Sequence, residues 1–273
     1  MAALALAFFV TALLYASVGF GGGSTYTALL ALAEVDYRLL PLLSLACNLV
    51  VVTGSSVRFG RAGVTPWRGA ILLTGLAAPA AFIGGLTPIG EAGFLALLGG
   101  SLVFTALSML LPVAGGDPSR PTRFARSMPL VAVPLGYLAG LVGIGGGIFL
   151  APLLHLVRWN DARAIAATAS LFILVNSLFG LAGQVVKNGS GRLGAAVELG
   201  LPLLVAVAVA GQVGSLLALR QGYVPATLNY ETPDEGCRLN VIHGRPLRLE
   251  NPVALVVNRT DIGQSAAVIV RRL

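Results

Sequence analysis

Charged side chains are scarce in this chain. Asp, Glu, Lys and Arg make up 11% of its 273 residues, whereas soluble globular domains carry about 25%. So few charges do not furnish the water-facing surface of a single large core, and the mean hydropathy of +0.86 places the chain in a lipid bilayer instead. Acidic residues number only 11, and none sits well inside an apolar run; Glu91 and Glu198 fall near run ends. Cysteine occurs twice, Cys47 in apolar sequence and Cys237 in a polar tail, which excludes a disulfide framework and any metal-ligand spacing. Only His155 and His243 represent histidine, with no nucleophile set beside them. The chain is therefore not read as an enzyme, and no catalytic residue, metal or cofactor is expected. The net charge of +7 comes from isolated arginines without a basic run or interleaved aromatics, so no nucleic-acid partner is expected either.

What the chain has in abundance is apolar sequence. A membrane span needs about 20 apolar residues to cross about 30 Å of hydrocarbon. Runs of that kind fall at residues 2–20, 40–58, 68–88 and 92–113, with a short piece at 25–33. After a polar linker at 115–127, a second series follows at 128–142, 164–186 and 196–219, with a short piece at 148–157. Residues 1–33 carry no charge and so lack the basic region of a cleaved signal peptide; they are read as a retained first span.

The two series are related. Val18-Gly19-Phe20-Gly21-Gly22-Gly23 returns as Val142-Gly143-Ile144-Gly145-Gly146-Gly147, and Asp36-Tyr37-Arg38 is echoed by Asp161-Ala162-Arg163. Glycine disfavours a helix interior by about 1 kcal/mol relative to alanine, so a paired cluster inside apolar sequence marks a paired helix break. The expected fold is an all-α polytopic membrane protein of two repeats, 1–114 and 128–220, the second lacking its last helix. If each short piece counts as a crossing, a complete half has five, and that odd number makes the repeats inverted. Arg58, Arg61, Arg68, Arg120, Arg123, Arg126, Arg158, Arg163 and Arg220 then collect on one side, and Arg38, Lys187 and Arg192 on the other. The arginine-rich side is expected to be cytoplasmic, with the N-terminus outside and the C-terminal tail inside. Each Asp-x-Arg is read as a capped helix start at the interface, or as a gate.

A helix restarting after glycines presents amides without intrahelical partners, which bind anions, and glycine lets a ligand approach the backbone closely. Gly21, Gly22, Gly23, Gly145, Gly146 and Gly147 are thus candidate substrate-binding residues. The competing explanation is tight helix packing by small residues. Gly-Phe-Gly-Gly-Gly and Gly-Ile-Gly-Gly-Gly, each in an apolar half followed by Asp-x-Arg, resemble the TauE/SafE sulfite exporter family over roughly residues 1–219. The resemblance implies an inner-membrane secondary transporter, an exporter of small oxyanions such as sulfite or organosulfonates that works without ATP hydrolysis. A passive anion channel, or an inactive truncated transporter, shares the architecture. An anion is held in a membrane by neutral donors more cheaply than by a buried ion pair. Ser24, Thr25, Ser44, Asn48, Thr168, Ser170 and Asn176 complete the candidate set, though each residue type also serves as helix-to-helix glue.

From about residue 221 the sequence changes character, with Pro225, Pro233, Pro246 and Pro252 among frequent charges. Gly222-Tyr-Val-Pro-Ala-Thr-Leu-Asn-Tyr-Glu-Thr-Pro-Asp234 and Ala266-Ala-Val-Ile-Val-Arg-Arg272 resemble the C-terminal end of β-ketoacyl-acyl-carrier-protein synthases. The tail, 221–273, is expected to be a short soluble or partly disordered α/β-like fragment, with a final strand at Pro252 to Val257 or at Ala266 to Val270. Cys237 and His243 lie outside the synthases' catalytic motifs and inherit no role. A lost last helix leaves a groove that lipid or a homodimer contact is expected to fill.

Overall fold

A computed structural model describes residues 2–18, 20–110 and 123–220, together with four strand segments between 223 and 271. The linker expected at 115–127 lies outside the described residues as far as 122. The chain divides into two compact units, Met1–Ser215 and Leu216–Leu273.

The first unit is helical, as lipid requires: a backbone without water must satisfy its own hydrogen bonds. Its elements are α1 (Ala2–Val18), α2 (Gly23–Leu32), α3 (Leu40–Arg61), α4 (Trp67–Leu86), α5 (Glu91–Leu110), α6 (Met128–Val142), α7 (Gly147–Leu156) and α8 (Ala162–Arg220). Six helical stretches among the described residues are long and apolar enough to cross a membrane, two of them within α8 at Arg163–Gly189 and Arg192–Val213. Gly189, at φ 67° and ψ −178°, bends α8 between these arms, so the runs expected at 164–186 and 196–219 join at a kink rather than across a loop. By contrast α2 and α7 have 10 residues each, about 15 Å of helix, half of the hydrocarbon. Large apolar side chains such as Leu72, Phe104, Leu130 and Val205 point out of the bundle, as a lipid-facing surface demands.

The interior seam joins α4, α6 and α8 through small residues. A Cβ on Gly140 would strike the Ala81 carbonyl, one on Gly136 the Ala77 carbonyl, and one on Gly183 the Phe82 carbonyl. Without a hydrophobic force between helices in lipid, such close backbone approach and interhelical hydrogen bonds hold a bundle together. Gln184 adds one of these, its Nε2 donating to the Gly140 carbonyl at 2.9 Å. At one end of the bundle Trp67 lies against Gly60 and Trp159 against Gly69, beside the Arg58, Arg61, Arg68 and Arg158 cluster in sequence.

In the second unit, β1 (Tyr223–Val224) pairs antiparallel with β2 (Leu247–Arg248), and β3 (Val253–Arg259) with β4 (Ser265–Arg271). Both stretches named as a final strand are strands, and they pair with each other, Val253 opposite Arg271. The described residues of the tail are thus strands only, where an α/β-like fragment was expected.

Gly140→Val should lower the melting temperature of the detergent-solubilised protein markedly, since overpacking a close contact costs about 1–3 kcal/mol. Gly100→Ala, on α5 with nothing within 4 Å of the new Cβ, should change stability by less than about 0.5 kcal/mol. Scanning fluorimetry distinguishes them; equal melting would remove the seam from the account.

Candidate functional site

The two glycine clusters separate α1 from α2 and α6 from α7. Near-identical sequence does not give identical backbone. Gly143, Gly145 and Gly146 take φ of 85°, 82° and 81°, the left-handed region that favours glycine, whereas Gly22 has φ −90°. Both short helices begin without a side-chain cap, at Gly22 and Gly146. The first intrahelical amide of α2 to pair is Tyr26, which donates to the Gly22 carbonyl at 2.8 Å. In α7 it is Phe149, donating to Gly146 at 3.2 Å. The preceding amides of each helix carry the partial positive charge of a helix start.

Asn48, on α3 and fully buried, lies between the breaks. Its Nδ2 donates to the Ile144 carbonyl at 3.2 Å, while its Oδ1 has no protein partner. The surrounding glycines are needed there. A Cβ on Gly21 would stand 2.5 Å from Asn48 Oδ1, and one on Gly145 2.7 Å from Asn48 Nδ2. One on Gly23 would collide with Asn48 Nδ2 and stand 2.5 Å from the Ile144 carbonyl oxygen. Ser44 and Thr27 both donate to the Gly23 carbonyl at 2.8 Å and fix that end of α2.

Other members of the candidate set stand elsewhere. Gly22 faces Tyr26 and Thr11, Gly146 faces Phe172 and Ala139, and Gly147 faces Ile173, so these three open space for packing. Thr25 shares a 3.1 Å hydrogen bond with the Tyr15 hydroxyl, and Ser24 is buried at the start of α2. Thr168 donates to the Ala164 carbonyl of its own helix at 2.7 Å, and Ser170 pairs with Ser56 at 3.0 Å. Asn176 is fully buried, with both carboxamide atoms lacking a protein partner.

Ser177 escaped the sequence analysis. Its hydroxyl is buried without a partner and would stand 2.9 Å from a Cβ on Gly145. Among apolar neighbours on a long helix, one more serine carries no signal; only the fold brings it to the break. The Asp-x-Arg pairs divide in role. Asp161 caps α8 by accepting from the Ala164 amide at 2.6 Å, while Asp36 makes a turn, accepting from the Arg38 amide at 3.0 Å.

The result is a cluster of neutral polar groups inside an apolar bundle: two helix starts without side-chain caps, a buried carboxamide packed against glycines of both clusters, and a buried hydroxyl without a protein partner. No group of three His, Cys, Asp or Glu able to hold a metal occurs among the described residues.

A family model described as sulfite exporter TauE/SafE matches residues 4–224. A protein of Sinorhizobium fredii named as a probable membrane transporter is 33% identical over 224 residues, 80% of this chain and 87% of that protein. A similarly named protein of Methanocaldococcus jannaschii is 31% identical over 80 residues, 29% of this chain and 30% of that protein. No solved structure matches significantly. Both relatives are named as probable membrane transporters and the family model ends at residue 224, so the synthase-like reading of the tail gains no support from these comparisons.

A buried hydroxyl without a partner costs about 1–3 kcal/mol. Ser177→Ala should therefore leave the substrate-free protein as stable as the parent or more so, while Asn48→Ala, which strands the Ile144 carbonyl, should destabilise it by about 2 kcal/mol. Chemical denaturation in detergent reads both; a Ser177→Ala loss as large as that of Asn48→Ala would mean that Ser177 has a structural partner.

Proposed function

The chain belongs to the TauE/SafE sulfite exporter family and is a multi-pass membrane transporter of that type, and from that premise we propose that it carries small oxyanions, sulfite or organosulfonates, through the bundle between its two glycine breaks. The observation that carries this reading is the convergence of both breaks on Asn48. Gly21 and Gly23 from one cluster and Gly145 from the other leave room for a single buried carboxamide beside two helix starts. Helix starts supply fixed positive dipoles exactly where an anion must leave its hydration shell, at a far smaller burial cost than a cation.

The two halves act as inverted repeats in this proposal, with α1–α2 and α6–α7 as broken helices whose exposed amides meet near the midplane. Rocking of one half about the other would expose the Asn48 pocket alternately to each face. The positive-inside bias sets the direction, with the cell inner membrane as its location and the arginine-rich side in the cytoplasm. Ser177 and Asn176 act as additional ligands for the substrate, which would satisfy their free atoms. Thr168 and Ser170 serve helix packing, since their hydroxyls are already committed.

Asn48→Asp is nearly isosteric and places a carboxylate beside the proposed anion. Sulfite flux into proteoliposomes should fall at least about 10-fold, a loss equivalent to about 1.4 kcal/mol, while the variant still inserts and elutes as the parent does on gel filtration. Undiminished flux in Asn48→Asp would displace the site from Asn48. Absence of sulfite, sulfonate and sulfate flux in the parent chain would overturn the oxyanion reading itself.

A further inference from the structure

A second feature lies away from the breaks. Where α3 begins, α4 ends and α8 bends, a cavity of about 300 Å³ opens between the helices. Three of its lining side chains are cations, Arg38, Lys187 and Arg192, and no carboxylate lines it. They come from stretches about 150 positions apart in sequence, and they are the three cations that the sequence pattern sets apart from the arginine-rich side.

Their hydrogen-bond partners are neutral. Lys187 Nζ donates to the Thr87 carbonyl at 3.3 Å, Arg192 Nη1 to Asn188 Oδ1 at 3.2 Å, and Arg38 Nε to the Tyr37 hydroxyl at 3.1 Å. Each of these partners spends one donor of a group that has several. Lys187 is half-buried, so its charge is screened less than that of the exposed Arg38 and Arg192. Carboxylates stand nearby on the other side of Arg38: Glu34, Asp36 and Glu91 line an adjoining cavity that shares Tyr37 and Arg38. They offset Arg38 in part and leave the Lys187–Arg192 wall cationic.

The inner wall of the cationic cavity leads toward the breaks. It contains Leu141, Pro41 and Gln184. Pro41 is the residue that a Cβ on Gly143 would strike, and Gln184 holds the Gly140 carbonyl at the end of α6. The cavity therefore abuts the backbone immediately before Ile144, whose carbonyl bonds Asn48. Its volume corresponds to about ten waters at about 30 Å³ each, too large for a stripped oxyanion and suited to a hydrated one.

We propose that this cavity is a second oxyanion site, a vestibule in which Lys187, Arg192 and Arg38 hold a hydrated small oxyanion in exchange between bulk water and the glycine breaks. The inference rests on the oxyanion reading and deepens it. A hydrated anion among cations binds loosely and quickly, as a loading or release station requires, and its occupancy falls with salt. The same chemistry would attract a phospholipid headgroup; a volume that fits a hydrated small anion and a wall that abuts the break favour the free anion.

Equilibrium titration of the full-length protein with sulfite, in lipid-free detergent at about 0.01 M and about 0.15 M salt, tests this over a range in which the Debye length falls from about 30 Å to about 8 Å. The parent should show a salt-sensitive binding component. Lys187→Gln with Arg192→Gln, which keeps a donor at each position, should weaken that component about 10-fold, within the range of electrostatic focusing. Arg38→Gln, at an exposed position, should weaken it less and serves if the double variant fails to fold. In proteoliposomes the double variant should raise the half-saturating sulfite concentration. Unaltered binding and half-saturation in a folded variant, with the parent transporting sulfite, would overturn the vestibule alone. Loss of copurifying anionic lipid in the variants without any change in sulfite binding would assign the cavity to lipid and overturn it equally. A parent that neither binds nor transports an oxyanion would remove the underlying reading with it.

Discussion

One hydrogen bond ties α3 to the second glycine cluster, and the first cluster packs against the same carboxamide. Asn48 donates to the Ile144 carbonyl across 96 positions of sequence. Around that bond Gly21, Gly23 and Gly145 are obligatory, because a Cβ at any of them would occupy the space of the carboxamide. Burying an amide without a partner costs about 1–3 kcal/mol, so the bond and the glycines depend on each other. Neither cluster forms its half of the pocket alone. The left-handed path of Gly143, Gly145 and Gly146 carries the Ile144 carbonyl within reach of α3, and only glycine takes three such conformations in four residues without strain.

The sequence pattern made much of this architecture legible. Uncharged runs coincide with each described α-helix of the first unit, because charge marks the ends and hydrocarbon thickness fixes the length of those that span. Both glycine clusters coincide with gaps between consecutive helices, α1 to α2 and α6 to α7. Asn48 was legible as a buried carboxamide on an otherwise apolar span. Other features depend on contacts between distant positions and left no trace in local pattern. Gly22 and Gly146 are indistinguishable in sequence from their neighbours, yet they face Tyr26 and Phe172 rather than Asn48. Ser170 and Ser177 look alike as well; one finds Ser56 across the bundle, and the other is left unpartnered at the break. The kink at Gly189 in place of a loop turned on a single backbone conformation.

The same limit applies to the seam. Gly136, Gly140, Gly183 and the alanines opposite them read in sequence as ordinary small residues of membrane helices. Their use appears only when α4, α6 and α8 are brought together, where each missing side chain admits a neighbouring carbonyl. The seam also explains why Gln184, a polar residue in mid-helix, serves the packing and not the pocket. Its amide is spent on the Gly140 carbonyl, so it closes the bundle beside the break without offering a free donor to a solute.

Charge and dipole are thus sorted by depth. Among the described residues the polar groups that touch Asn48 or stand beside it are backbone carbonyls and hydroxyls, and Arg38 and Arg192 are exposed while Lys187 is half-buried. A cation at the centre would cost several kcal/mol to bury and, once there, would hold an anion too tightly to release it. Neutral dipoles avoid both penalties. The proposed carriage of small anions draws on that sorting, and a membrane transporter with so few charges holds its interior together with dipoles and close packing instead.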